Sequence, residues 1–198
     1  MIFINKFMKS DWRKGKEILE NDGVVVLPTD TLYGIVGKAE SKKAVANIYT
    51  IKARDINKPF IVLITSYNDL DIFGIIVEKW QEKFLRKFWP GKVSVILPCL
   101  SNKLRYLHRG TKSIAFRMIG KRNKNLYNLI NKVGPLVAPS ANMEGGKPAE
   151  TIEEVKGCFD NKISLYIDGG RKNAEPSTLV KLEDNNWTIL RQGVKEIK

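Results

Sequence analysis

Three polar segments, far apart in the chain, hold most of the residues able to do chemistry. Pro28-Thr29-Asp30-Thr31-Leu32-Tyr33-Gly34 offers hydroxyls, a carboxylate and free backbone N–H groups. Lys52, Arg54 and Lys58 gather three cations within seven residues, and Pro59 stiffens the approach to the next apolar run. Ala138-Pro139-Ser140-Ala141-Asn142 adds a hydroxyl and an amide. Each segment lies at the end of an apolar run, as in α/β folds, where loops at strand ends supply one shared pocket. Lysine supplies a point charge and arginine a planar two-pronged donor, so phosphates and carboxylates are the natural ligands. Ser140 and Asn142 can form an anion nest or read a base edge. Each segment alone also has a plainer reading. Thr29 and Asp30 can cap their own turn, cations are favoured at a helix C-terminus, and 139–142 can be a simple turn.

The remaining composition narrows the classes. The chain has 198 residues, 43% of them apolar, which suits one domain with a sizeable core. Lys and Arg number 34 against 21 Asp and Glu, for a net charge of +13. Such a surplus attracts nucleotides, nucleic acid or anionic surfaces, or else marks a solvated lysine-rich exterior. Cys99 and Cys158 form no CxxC pair, so neither a metal knuckle nor a disulfide framework is expected, and a reducing cytoplasm fits. His108 is the sole histidine, and no G-x-S-x-G elbow accompanies it, which argues against a serine triad. The opening Met1–Lys6 is too short and polar for a leader, and no apolar run approaches a membrane span.

The elements that must position these groups follow from periodicity. Residues 11–22 have helical spacing and stop at Asp22-Gly23. Val24–Leu27 reads as a buried strand, with 28–34 as the loop after it. Ser41 caps a helix through 52, with Ala44, Val45, Ile48 and Ile51 on one face. Strands are expected at 60–64, 93–97, 114–116, 136–138, 163–167, 178–182 and 187–191. Helices are expected near 78–88, 123–132 and 151–158, the last with Thr151 and Glu154 as a capping box. Strands interleaved with helices make an α/β protein, and late strand-to-strand steps argue for a mixed sheet.

The short motifs stand in a fixed order: PTDTLYG (28–34), KARDINKP (52–59), WPG (89–91), AFR (115–117), APSAN (138–142), DGG (168–170), STLV (177–180) and LRQG (190–193). In that combination the chain resembles the YrdC-type threonylcarbamoyl-AMP synthases. The resemblance implies a single α/β domain over 1–198, with a twisted, mixed parallel and antiparallel open sheet, flanking helices and a concave basic cavity. It implies a nucleotidyltransferase that makes L-threonylcarbamoyladenylate and pyrophosphate from L-threonine, bicarbonate or CO2, and ATP. Mg²⁺ would be bound through the phosphates, with no metal held by the protein itself. The product would pass to threonylcarbamoyl-transferase proteins that modify an adenosine beside the anticodon of tRNA, and tRNA itself is a further expected partner.

By motif, the resemblance makes Lys52 and Arg54 catalytic. It places Thr31, Arg117, Ala138 and Ser177 around threonine, and Arg54, Lys58, Ser113, Ser140, Asn142 and Arg191 around ATP. The chain departs from the pattern at several places. Lys92 and Ser94 follow WPG in place of Pro and Thr, and Gln192 interrupts LRPG. The turn after Asn142 is one residue longer, Ala149 stands where Ser is common, and Pro176 replaces an acidic residue. The rival reading is a non-catalytic module for double-stranded RNA, which the net charge favours. Against it, Trp12, Trp80, Phe84, Phe88 and Trp89 fall at helical core spacing, not on a stacking platform.

Overall fold

Alternating apolar residues build a sheet with two differently covered faces, described for residues 6–172 and 175–197 in a computed structural model. Of the opening segment read above as no leader, Met1–Asn5 lie outside the described residues. The first described element is helix α1 (Lys6–Glu20), whose end turns over at Gly23, where Gly23 N–H donates to Ile18 O at 2.8 Å. Strands β1 (Val25–Pro28) and β2 (Tyr33–Lys38) form a hairpin. Helix α2 (Lys42–Lys52) leads to β3 (Ile61–Ile64), and α3 (Lys79–Phe88) to β4 (Val93–Pro98). Short α4 (Arg105–His108) precedes β5 (Ser113–Met118), and α5 (Lys124–Val133) precedes β6 (Leu136–Val137). Helix α6 (Ile152–Phe159) and the hairpin β7 (Thr178–Glu183) with β8 (Asn186–Arg191) complete the elements.

The eight strands lie in the order β1-β2-β6-β3-β5-β4-β7-β8. Only β3–β5 and β4–β7 are parallel; the other neighbours are antiparallel, so the sheet is mixed as expected. Side chains alternate between faces along each strand. Val26, Ile35, Val62, Ile64, Val95, Phe116 and Val180 join α2, α3 and α6 in one core. Val25, Leu27, Val36, Leu63 and Leu136 join α1 and α5 in the other. Trp80, Phe84 and Phe88 pack against the first core and Trp89 is buried in it, which matches their helical spacing.

The second core draws strand residues only from β1, β2, β3 and β6. Beyond it the same face of β5, β4, β7 and β8 carries Ser113, Ala115, Arg117, Ser94, Ile96, Leu179 and Arg191. A sheet face that is polar and not covered by a helix is where a ligand can lie.

Three expectations are corrected. Residues 33–38, read in part as loop, form β2; Gly34 and Gly37 had broken the apolar pattern. Gly37 is needed because a Cβ there would meet Ala44 Cβ at 3.0 Å and Ile48 Cδ1 at 3.2 Å, so α2 packs directly on the strand backbone. Residues 163–167, expected as a strand, make only an isolated bridge, with Val26 N–H donating to Leu165 O and Ile167 N–H to Val26 O. The Thr151 hydroxyl does accept from Glu154 N–H, but the Glu154 carboxylate reaches Glu150 N–H, one residue before the cap. Among the described residues no helix is long and apolar enough to cross a membrane. Cys99 is buried, Cys158 exposed, and both are free.

Candidate active site

A cavity of about 310 Å³ opens over the helix-free part of the sheet. Period-two alternation turns Ser113, Ala115 and Arg117 of β5 toward it, while Ile114, Phe116 and Met118 turn to the core. The β1–β2 turn supplies Thr31, and the segment after β6 supplies Ala138 and Ser140. Ser177 enters from the start of β7, Arg191 from the end of β8, and Arg54 from beyond α2. Eight of the residues singled out by sequence therefore share one hollow. The segment after β6 is held there by continued pairing with β2: Ile35 N–H donates to Pro139 O at 3.0 Å and Ala141 N–H to Tyr33 O at 2.8 Å.

The turn hydroxyls divide their work. Thr29 Oγ1 donates to Leu32 O at 2.7 Å and accepts from the Thr31 and Leu32 N–H groups at 3.2 Å, so it holds the turn, as the plainer reading had it. Thr31 Oγ1 lies 3.3 Å from Thr29 Oγ1. Because the Thr29 proton is engaged with Leu32, Thr31 is the donor of that pair, and its oxygen keeps acceptor capacity for a ligand donor in the cavity that Thr31 lines.

Arg117 is 5% exposed and its Nη2 lies 2.9 Å from Asp30 Oδ1. The contact is close in distance but not aligned as a hydrogen bond. Asp30 Oδ1 and the buried Arg117 Nε make no hydrogen bond among the described residues. A buried guanidinium edge left unmet favours an incoming carboxylate. Nearby, Arg191 donates from Nε and Nη2 to Ser177 O at 3.2 and 2.9 Å. Partial desolvation, then the charge of Arg117, lowers its pKa, as expected for two cations converging on one anion site. The Ser177 hydroxyl pairs with Ser94 Oγ at 2.8 Å, so Ser94 fixes its direction.

Lys52, Lys58 and Asn142 do not line the cavity. Helix α2 ends in a Schellman motif, with Ala53 N–H to Thr50 O and Arg54 N–H to Tyr49 O, and with Ala53 in the left-handed region at φ 47°. That reversal sends Lys52 inward and Arg54 toward the cavity. Lys52, 1% exposed, donates to Ser140 O at 2.6 Å and also to Asn142 O. Burial, with the neighbouring Arg54 charge, draws its pKa down to about 8. Asn142 Nδ2 donates to Met143 O at 2.8 Å and Gly146 O at 2.7 Å, holding the following turn. Lys58 pairs with Glu144 at 2.7 Å. Arg54 Nε donates to Lys58 O at 3.2 Å, and its guanidinium lies 5.4 Å from the Phe60 ring centroid, which in turn stacks on Tyr49. With Nε engaged, the Nη edge is the part of Arg54 that can meet a ligand.

Sequence reasoning gave no role to Tyr33. Its buried hydroxyl accepts from Gly169 N–H at 2.9 Å and lies 2.7 Å from Gly170 O and 3.1 Å from Asp168 Oδ1. Burial pushes its pKa up to about 12, so it stays a donor. The signal lay in the coincidence of PTDTLYG and DGG, which meet here. A Cβ on Gly169 would come within 2.5 Å of the Pro28 ring. Gly169→Ala is expected to destabilise the protein by about 1–3 kcal/mol through overpacking against that rigid ring, read by urea unfolding. An unchanged midpoint would show that the two motifs do not depend on this contact.

The chain is similar to several known proteins. Residues 17–193 match the model of the Sua5_yciO_yrdC family, described as "Telomere recombination". A Methanocaldococcus jannaschii protein is 32% identical over 92% of the chain and 85% of its own length. The threonylcarbamoyl-AMP synthase of Bacillus subtilis is 35% identical over 89% of the chain. The crystal structure of Pyrococcus abyssi Sua5 complexed with L-threonine superposes with a TM-score of 0.84 at 29% identity over 92% of the chain. The chain spans about half the length of these last two proteins, 51% and 54%.

Proposed function

The chain belongs to the Sua5_yciO_yrdC family, and on that premise we propose that it is a threonylcarbamoyl-AMP synthase, converting L-threonine, bicarbonate or CO2, and ATP into L-threonylcarbamoyladenylate and pyrophosphate. The observation that carries this reading is the single hollow in which Arg54, Arg117 and Arg191 meet the hydroxyls of Thr31, Ser113, Ser140 and Ser177. Threonine would lay its carboxylate against Arg117, already desolvated and short of a partner at Nε. Its hydroxyl would donate to Thr31 Oγ1, with Ala138 beside it. The nucleotide would run past Ser113 and Ser140, with its phosphates toward Arg54, Lys58 and Arg191.

In this reading the unprotonated threonine amine adds to CO2; the N–C bond forms as a C=O π bond opens, and the released amine proton passes to bicarbonate or water, leaving a carbamate. A carbamate oxygen attacks the α-phosphorus of ATP; the new P–O bond forms as the bond to the bridging oxygen breaks, and pyrophosphate leaves with the electron pair. The carbamate is already an anion, so the attack on phosphorus requires no strong protein base. The barrier lies in bringing anions together, which positioning and fixed positive charge lower. Lys52 would act at one remove, by anchoring the Ser140–Asn142 segment. Mg²⁺ belongs to this reading as a companion of the ATP phosphates. Among the described residues no cluster of three or more His, Cys, Asp or Glu side chains could hold one. Transfer of the product to a threonylcarbamoyl-transferase acting on tRNA, in the cytoplasm, is part of the same proposal.

The test is pyrophosphate release by the purified chain with ATP, bicarbonate and threonine, omitting each in turn. Release should require all three; release independent of threonine would refute the reading. Valine in place of threonine should be about ten- to a hundredfold poorer in kcat/KM, because a single hydroxyl contact at Thr31 is at stake. Equal turnover of the two amino acids would remove Thr31 from the site.

A further inference from the structure

The turn after Asn142 carries a carboxylate placed where a phosphate would be expected. Glu144 Oε2 accepts from Asp55 N–H at 2.6 Å, and Oε1 accepts from Lys58 Nζ at 2.7 Å. A backbone N–H and an ammonium gripping two oxygens of one anion is the arrangement by which proteins hold phosphate oxygens. Lys58, and then Asp55 N–H, hold the Glu144 carboxyl below the usual carboxylate range. Lys58 is one of the residues that the proposed function assigns to the ATP phosphates, and Asp55 N–H follows directly on another, Arg54, which lines the cavity. One anion fits between them, since a second beside it would meet like charge.

We infer that Glu144 is an internal competitor of the ATP phosphates: its carboxylate fills the Asp55 N–H and Lys58 Nζ anion site in the free protein, leaves when the triphosphate enters, and so sets the affinity for ATP. The inference rests on the proposed use of this site for ATP. The contact is suited to exchange. The Lys58 side chain is 56% exposed, and ion pairs in that setting are weak enough for a polyanion to displace. The movement has defined limits. Lys52 ties down the carbonyls of Ser140 and Asn142, while the turn beyond them contains Gly145, at φ 76°, and Gly146. Asn142 Nδ2 holds Met143 O and Gly146 O on either side of Glu144, so it is the Glu144 side chain that swings out, by rotation about its own bonds, while the turn and Ser140 stay in place.

The experiment measures binding of ATP, and separately of inorganic pyrophosphate, to wild type and E144Q without threonine or bicarbonate. E144Q keeps the shape and removes the charge. Its Kd for both ligands should fall about three- to tenfold, the range of a displaced charge-assisted contact, and its KM for ATP should fall in parallel. E144A should tighten binding likewise. The KM for threonine and the thermal midpoint should stay at wild-type values, which a merely structural role for Glu144 would not leave unmoved. Unchanged or weaker binding in both variants, or no binding of ATP by any of the three proteins, overturns the inference. Tightened ATP binding by the variants with no threonine-dependent turnover by any of the three proteins would instead count against the proposed reaction and leave the competitor role standing.

Discussion

Arg54→Ala should leave a folded protein whose threonine-dependent pyrophosphate release falls by about 10²–10³, the typical loss for one preorganised donor at a site of developing charge. The fold should survive because the side chain does little for it. Arg54 gives one hydrogen bond to Lys58 O and lies over Phe60, and a cation–π contact at an exposed site is worth roughly 0.5–1 kcal/mol. Phe60 keeps its stacking partner, with the Tyr49 ring 4.1 Å away. Arg54→Lys should recover little, since an ammonium offers neither the planar fork nor the same reach. Circular dichroism and thermal unfolding report the fold, and pyrophosphate release reports the chemistry. Turnover near the wild-type rate in Arg54→Ala would remove this residue from the reaction.

Lys52→Met should cost at least about 10² in rate through a residue that does not line the cavity. Lys52 fixes the Ser140 and Asn142 carbonyls from below. Releasing them lets Ser140 drift, and a misplacement of about 1 Å can cost about 10²-fold. Two opposing effects set the stability of this variant. Two buried carbonyls lose their donor, at about 1–3 kcal/mol each. The buried ammonium disappears, and its pKa displacement from 10.5 to about 8 corresponds to a penalty of about 3 kcal/mol. These largely offset, so the variant should remain folded. The same displacement gives wild type a signature in pH. Its folded state binds this proton less tightly than the unfolded chain. The penalty is therefore constant well below pH 8, and stability rises with pH between about 8 and 10.5. Between pH 7 and pH 9 the gain is about 1 kcal/mol in wild type and absent in Lys52→Met. Parallel stability profiles for the two proteins would contradict a charged, buried Lys52.

The period-two and helical patterns made the strands at 60–64 and 93–97 and the cap at Ser41 legible in the sequence, because local chemistry and tertiary packing agree there. β2 was hidden because Gly34 and Gly37 carry no apolar side chain. Their value lies in what they let approach, the Pro139 segment and α2, which are remote in sequence. The stretch 163–167 is apolar enough for a strand, yet it meets β1 at a single bridge, a matter of docking and not of propensity. The same division holds at the site. Residue type pointed to Arg54, Arg117, Ser140 and Arg191, and the structure brings them to one hollow. Side-chain direction was not legible. Lys52 and Arg54, two residues apart, part company because the helix reverses at Ala53. The partners that hold the polar groups, Asp30 for Arg117, Ser94 for Ser177 and Glu144 for Lys58, are long-range pairings that no local pattern encodes.

On the proposed function, this hollow joins a carbamate made on threonine to the α-phosphate of ATP. The direct measurement is mass spectrometry of the product formed from ATP, threonine and isotopically labelled bicarbonate. An adenylate bearing threonine and the labelled carbon together, formed alongside pyrophosphate, is the result expected. An adenylate without the label, or hydrolysis of ATP with threonine left unmodified, would contradict it.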